Sequence, residues 1–259
     1  MVLRLFFGKK SQRAAPRAPE GCRAYAIGDI HGRLDLLQEL VAKIERDNAS
    51  RPPVKTYLVT LGDLVDRGPD SRGVIEYLIG LQSDFTRVVH LKGNHEEFFL
   101  NVLARQDGMV ADWLTYGGYE CCESYGISKG WTLNVTPEAV AERLASEVPQ
   151  RHKDFLEDLA DSFRFGDYLF VHAGIRPGLD LSEQTSRDLR WIRDGFLDDR
   201  TDHGFVVVHG HTIVADPEQH PNRIAIDTGA YRSGVLTAIG LEGAERWFID
   251  ARAEVPTAA

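Results

Sequence analysis

Three times in its first hundred residues the chain follows one local plan: a short apolar run, a loop opening on glycine plus a polar ligand-type residue, then a helical pattern. The run 24–27 ends at Gly28-Asp29, and 33–48 then carries Leu34, Leu37, Leu40, Val41 and Ile44 at helical spacing. The run 55–61 ends at Gly62-Asp63, and 71–81 carries Val74, Ile75, Leu78 and Ile79 on one face. The run 86–91 ends at Gly93-Asn94, with a helix predicted over 96–105. Alternation of this kind specifies an α/β fold. Ligands in open α/β sheets gather at the carboxyl ends of strands, so the three loops are expected to converge.

The middle of the chain, 107–160, reads as helical. Thr136-Pro137 has the pattern of an N-cap followed by proline at the first helical position. Strands return over 163–165, 168–171, 205–208, 224–226, 235–241 and 245–249, the last two joined by a turn at Glu242-Gly243. No interdomain linker interrupts this pattern, so a single domain is expected over 23–252. A flexible basic tail (1–22) precedes it and a C-terminal tail (253–259) follows.

Charge enters at this point. The 259 residues hold 30 Lys and Arg against 39 Asp and Glu, a net charge of −9. The first 23 residues carry six basic groups against Glu20 alone, so the rest of the chain is more acidic than the total suggests. An acidic body excludes a nonspecific nucleic-acid groove, which depends on phosphate neutralisation. No apolar run is long enough to insert stably across a membrane. The tail reads as solvated, with a weak contact of Leu3, Leu5, Phe6 and Phe7 on anionic lipid as the sharper alternative. Three cysteines without framework spacing read as structural thiols in a reducing, cytoplasmic setting.

Five segments carry the chemistry: GDIHGR (28–33), GDLVDRG (62–68), GNHE (93–96), VHAG (171–174) and VHGHT (208–212). Each couples Asp, Asn or His to glycine at a strand end. Oxygen and nitrogen donors without thiolate suit manganese, iron or zinc. Six such groups are too many for one tetrahedral ion. They match two ions roughly 3.5–4 Å apart that share a carboxylate. Singly, each segment has a plainer reading. An Asp-x-His is usually a solvated loop, and GNHE reads equally as a helix start with Asn94 capping and Glu96-Glu97 in solvent. Five together, each at a strand end, do not.

The ordered motifs GDxHG, GDxVDRG and GNHE, with a final GHT, resemble the phosphoprotein phosphatase family of calcineurin-like metallophosphoesterases, in its bacterial and phage serine/threonine form. The likeness runs from residue 24 to about 232. It implies two packed mixed β-sheets flanked by helices, a four-layer α/β/β/α fold. It further implies Asp29 and His31 on a first metal, Asp63 as the bridging carboxylate, and Asn94, His172 and His211 on a second. His95 is implied as general acid, Asp66 as the carboxylate that orients it, and Arg67 as a phosphate-binding arginine. Arg193, in a less regular WIR segment, is implied as the second. The cofactors expected are two divalent metal ions, manganese first, with iron or zinc as alternatives.

The reaction implied is hydrolysis of phosphoserine or phosphothreonine, with phosphotyrosine in range, by direct attack of a metal-bridging hydroxide and no phosphoenzyme. The partner is a phosphoprotein or phosphopeptide. A symmetrical diadenosine tetraphosphatase is the enzymatic alternative: Asp66 favours the phosphomonoesterase, while Pro69 keeps the alternative open. A catalytically dead phosphatase fold acting as a binding module is the alternative of another class, disfavoured by a complete ligand set. Two divalent ions and two arginines would leave the site net positive despite the acidic body, so phosphate affinity should depend on metal loading.

Other residues have quieter expectations. His209 lies two positions before His211 and faces the same way on a strand, which leaves a supporting role open. His90, His152, His203 and His220 read as structural or surface groups, and Trp113, Trp131 and Trp247 as core or interface. Gly117-Gly118 reads as a turn. Tyr231 and Arg232 either line the site or, for Tyr231, pack in the core.

Overall fold

The computed structural model describes residues 15–253. The strands are β1 (Cys22–Ile27), β2 (Lys55–Thr60), β3 (Arg87–His90), β4 (Ser162–Phe165), β5 (Tyr168–Val171), β6 (Val206–His209), β7 (Glu218–Gln219), β8 (Arg223–Ala225), β9 (Val235–Glu242) and β10 (Glu245–Arg252). The helices are α1 (Leu34–Ser50), α2 (Ser71–Ile79), α3 (Asn94–Leu103), α4 (Met109–Trp113), α5 (Tyr119–Ser124), α6 (Lys129–Thr132), α7 (Pro137–Glu147), α8 (Gln150–Glu157), α9 (Ser186–Trp191) and α10 (Ala230–Ser233). A π-helical turn, Leu114–Gly118, joins α4 to α5.

Strand alternation divides the core into layers. One sheet runs β10-β9-β1-β2-β3 and the other β4-β5-β6-β8-β7, each mixing parallel and antiparallel pairs. Along β1, Tyr25 and Ile27 face the helices together with Leu37, Leu40 and Phe99, whereas Ala24 and Ala26 face the second sheet. Along β5, Tyr168 and Phe170 meet those alanines' layer, while Leu169 and Val171 turn outward to Ile175, Leu189 and Phe196. A period of two thus places each successive residue in a different apolar layer. The result is the expected four-layer fold of two mixed sheets flanked by helices.

Element positions follow the sequence reading closely, with informative differences. Thr136 caps α7 as expected, its side chain accepting from Ala139 N–H. The β9–β10 hairpin turns at Gly243, whose φ of 54° suits glycine. The short elements β7, α9 and α10 had no periodic signal. Of the basic segment 1–22, residues 1–14 lie outside the described residues, and with them the proposed lipid contact. Residues 15–21 lie against the body: Arg17 N–H donates to Asp167 Oδ2 at 2.9 Å, Ala18 N–H to Gly243 O at 2.7 Å, and Pro16 O accepts from Tyr168 Oη at 3.2 Å. Arg23, counted with that basic segment, is fully buried and donates to Glu242 Oε2, Asn48 Oδ1 and Pro52 O. Residues 254–259 are also outside the described set. Among the described residues no helix is long and apolar enough to cross a membrane.

Candidate metal centre and catalytic site

The loops after β1, β2 and β3 are laced together before any ligand is considered. Ile30 and His31 N–H donate to Asp63 O at 3.0 and 2.8 Å, and Gly32 N–H to Leu64 O at 2.9 Å. The third loop is fixed by Glu96. Its Oε2 accepts from Gly93 and Asp63 N–H (2.8 and 2.9 Å), and its Oε1 from Leu64 and Val65 N–H (2.7 and 3.2 Å). The expectation of a solvated Glu96-Glu97 start is therefore corrected. Glu96 is 0% exposed, because four amides from two loops need an acceptor there. Those contacts also start α3 at Asn94 instead of Glu96. Burial raises the Glu96 carboxyl to about 7, with the Asp63 charge adding to the shift and the Gly93 and Leu64 amides opposing it.

The histidines then converge on Asp63. His172 Nδ1 lies 2.9 Å from Leu61 O. A carbonyl only accepts, so that nitrogen carries the proton and Nε2 presents a lone pair. Yet Nε2 faces acceptors, Asn94 Oδ1 at 3.0 Å and Asp63 Oδ1 at 3.3 Å, with His211 Nδ1 at 3.2 Å beside them. His31 shares the tautomer, with Nδ1 2.8 Å from Val65 O, but its Nε2, 3.4 Å from Asp63 Oδ2, also accepts from Arg67 Nη1 at 2.9 Å. Asp29 Oδ1 and His211 Nε2 are buried without a hydrogen-bond partner, while Asp29 Oδ2 accepts from His211 N–H at 2.9 Å. Acceptors buried against acceptors are unfavourable unless a cation lies among them. The donor set thus fits metal ions, in two groups that share Asp63: His31, Asp63 and His95, and Asp63, His172 and His211. The first group contains His95, where the family pattern implies Asp29.

Electrostatics reflect this crowding. Burial alone would raise the Asp63 carboxyl, yet His172, His95, His31 and His211 hold it well below the usual range. Burial lowers His31, His172 and His211. Burial pushes Asp29 well up, reinforced by the Asp227 and Asp63 charges, and takes Asp227 up to about 6. Asp227 escaped the sequence reading as a site residue, although it too lies just beyond a strand, β8.

Backbone strain marks the same residues. His31, Asp63, Asp66, Arg67 and His211 adopt φ of 45°, 49°, 69°, 68° and 62°. Arg105 is the one other described non-glycine residue in that region. Each such residue costs about 1–2 kcal/mol, and here the cost is held by the loop hydrogen bonds above.

Beside the Asp63 cluster, His95 Nδ1 lies 2.7 Å from Asp66 Oδ2, and its backbone N–H donates to Asp63 Oδ1 at 3.1 Å. Burial would lower His95, but the Asp63 charge and the Asp66 hydrogen bond prevail and raise it. Asp66 is itself fully buried and accepts from Trp113 Nε1 at 3.1 and 3.0 Å. Trp113 was expected as core or interface, with no contact to a site residue. Arg67 Nη1 lies 2.9 Å from His31 Nε2, and its guanidinium sits 4.9 Å from the Tyr231 ring centroid. That ring is edge-on to His31 at 5.3 Å, so Tyr231 lines the site. Arg67, Thr115, Tyr116, Gly117, Glu120 and Tyr231 surround an open concavity of about 390 Å³. Arg193 Nη2 donates to His211 O at 3.3 Å. His209 stays behind the cluster: its Nδ1 lies 3.0 Å from Gly210 O and its ring is edge-on to Phe196.

Comparison with known proteins agrees with this geometry. Residues 22–236 match the calcineurin-like phosphoesterase family model. The chain is 29% identical to serine/threonine-protein phosphatase 1 of Salmonella typhimurium over 82% of its own length and 89% of that protein. It is 26% identical to the symmetrical bis(5'-nucleosyl)-tetraphosphatase of Dechloromonas aromatica over 87% and 95% of the two chains. Among solved structures, a candidate diadenosine tetraphosphatase shares the fold with a TM-score of 0.61 at 20% identity, covering 92% of this chain and 99% of the other. A domain-length family match, with its motifs converging on one carboxylate, makes this chain a member of the calcineurin-like phosphoesterases.

Proposed function

We propose that this phosphoesterase is a serine/threonine phosphomonoesterase acting on phosphoproteins. The observation that carries the reading is the His95–Asp66 pair at 2.7 Å, set directly beside the acceptor cluster on Asp63. In this reading Asp29, His31 and Asp63 would hold one divalent cation, and Asp63, Asn94, His172 and His211 the other, with manganese the first choice. Bound there, the two ions would supply charge neutralisation at the phosphoryl group and activation of water.

The chain's own groups do the rest. Asp66 accepts the Nδ1 proton of His95, which fixes the ring and leaves Nε2 to carry the proton for the departing oxygen. A serine or threonine alkoxide is a poor leaving group, so that proton matters most for such substrates. Arg67, beside His31, and Arg193, beside His211, bind the nonbridging phosphate oxygens. Similarity to a bacterial serine/threonine phosphatase supports the same substrate class.

The test is a panel of phosphoserine, phosphothreonine and phosphotyrosine peptides against diadenosine tetraphosphate, assayed with added Mn²⁺. The expected result is a higher kcat/KM for the phosphoserine and phosphothreonine peptides. A clear preference for the dinucleotide would overturn the proposal in favour of the tetraphosphatase chemistry known from a relative of similar coverage.

A further inference from the structure

We propose that Trp113 is a positioning residue for the His95–Asp66 pair, and that it acts at one end of a strap, residues 113–118, which also sets the backbone of Arg67. The inference rests on the reading of His95 as proton donor.

Three contacts from this one segment reach two adjacent residues. Trp113 Nε1 donates to both carboxylate oxygens of Asp66, at 3.1 and 3.0 Å. Gly117 O accepts from Arg67 N–H at 3.0 Å, and Tyr116 O from Arg67 Nε at 3.4 Å. Asp66 and Arg67 are both held at left-handed φ, so their positions need support from outside their own loop.

The strap is built for close approach. Gly117 has a φ of 110°, and a Cβ there would lie 2.5 Å from Arg67 N. A Cβ on Gly118 would lie 2.5 Å from the Trp113 ring. The Trp113 ring is fully buried and stacks on Phe99 with centroids 5.6 Å apart. Ring packing alone explains an apolar residue at 113, whereas the indole N–H aimed at a buried carboxylate does not follow from packing. Asp66 Oδ2 is the same atom that meets His95 Nδ1. Its backbone is fixed separately, Asp66 N–H donating to Ser71 Oγ at 2.9 Å and Asp66 O accepting from Gly68 N–H at 2.7 Å, and the carboxylate rotation is set by Trp113 and His95 with the Cys121 thiol beside them. A carboxylate that loses its indole donor swings away from the imidazole more readily than one that keeps it.

The test compares Trp113→Phe, Phe99→Leu and His95→Asn in the full chain with Mn²⁺. Trp113→Phe keeps an aromatic ring in the core and removes the donor. Rates are read on p-nitrophenyl phosphate, a good leaving group, and on a phosphoserine peptide, a poor one. Trp113→Phe is expected to lose about tenfold or more on the peptide, with a much smaller loss on the aryl ester. Phe99→Leu, which disturbs the same packing, is expected to lower both rates alike. Equal losses in Trp113→Phe, with discrimination retained by His95→Asn, overturn the Trp113 role and leave the His95 reading standing. If His95→Asn shows no discrimination, that reading fails and the proposal with it. Independently of turnover, the indole N–H proton resonance of Trp113 in metal-free protein is expected downfield, moving upfield in Asp66→Asn. A resonance unaffected by that substitution overturns the contact itself.

Discussion

Glu96→Gln isolates the link that joins two ligand loops without touching the reacting atoms. In the native structure one carboxylate oxygen serves Gly93 and Asp63 amides and the other serves Leu64 and Val65. A glutamine of the same shape replaces one oxygen by an NH₂ group, so one of these pairs faces a donor. Two buried N–H groups left unsatisfied cost about 1–3 kcal/mol each, or about 2–6 kcal/mol together. That is a large share of the roughly 5–15 kcal/mol that holds a typical domain folded. The neighbouring Glu97→Gln is the control. Glu97 is half-buried and meets Arg190 Nη1 at 3.0 Å, a pairing worth about 1 kcal/mol or less. Urea unfolding of the two variants reads the difference as a shift in midpoint. A Glu96→Gln midpoint equal to that of Glu97→Gln would refute the argument that these amides depend on two acceptor oxygens.

Asp63→Asn is expected to lower turnover by about 10²-fold or more, since both metal groups share that carboxylate, and to reduce bound manganese measured by elemental analysis. Chelation of the native protein is expected to abolish p-nitrophenyl phosphate hydrolysis, and Mn²⁺ to restore it; full activity in chelator contradicts the metal reading. His90, held by Thr60 Oγ1 at 3.1 Å and edge-on to Phe155, is lowered to about 4 by burial. The unfolded chain then binds this proton more readily than the folded one, so stability is expected to fall as pH drops from about 6.5 toward 4, by at most about 1.4 kcal/mol per unit. Thermal melts of His90→Gln should show a flatter profile over that window, and an identical profile would exclude His90 as the source.

What was legible in the sequence was local. A glycine beside a ligand residue at the end of an apolar run needs only a few consecutive positions, and each of the five motifs sits where such a run ends. The two-layer packing was not legible in this way: Tyr25 and Ala26 part to opposite faces, but both are apolar, so the run 24–27 shows no polar alternation that would mark its two sides, and the paired sheets came only from the family resemblance. What stayed hidden depends on distance along the chain. Glu96 looks like any acidic residue in a first helical turn until β2's loop, more than 30 residues earlier, supplies its amides. Trp113 looks like core until its indole meets a carboxylate 47 positions away. Tyr231 was left open between site and core, and its place against the Arg67 guanidinium decides for the site. Asp227 had a local signal, an aspartate just past a strand, but no histidine or arginine beside it to draw notice.

These residues also resolve an apparent conflict between an acidic chain and an anionic substrate. Five carboxylates, Asp29, Asp63, Asp66, Glu96 and Asp227, are buried around one point. Two are compensated by the protein itself: Asp66 by His95 and Trp113, and Glu96 by four amides. Asp29 is not, since one of its oxygens has no partner and Asp227 presses a like charge upon it. Along the same cluster, His172 Nε2 turns a lone pair toward the Asp63 and Asn94 oxygens, and His211 Nε2 is buried without a hydrogen-bond partner. Negative charge and lone pairs left over together, in a place water cannot reach freely, define a demand for cations and not for protons. Protons would satisfy the carboxylates but would leave no positive charge for phosphate, whereas divalent ions would satisfy both the carboxylates and the imidazoles. The acidity that counts against phosphate binding in the composition is, at this site, the acidity that collects the charge a phosphate needs.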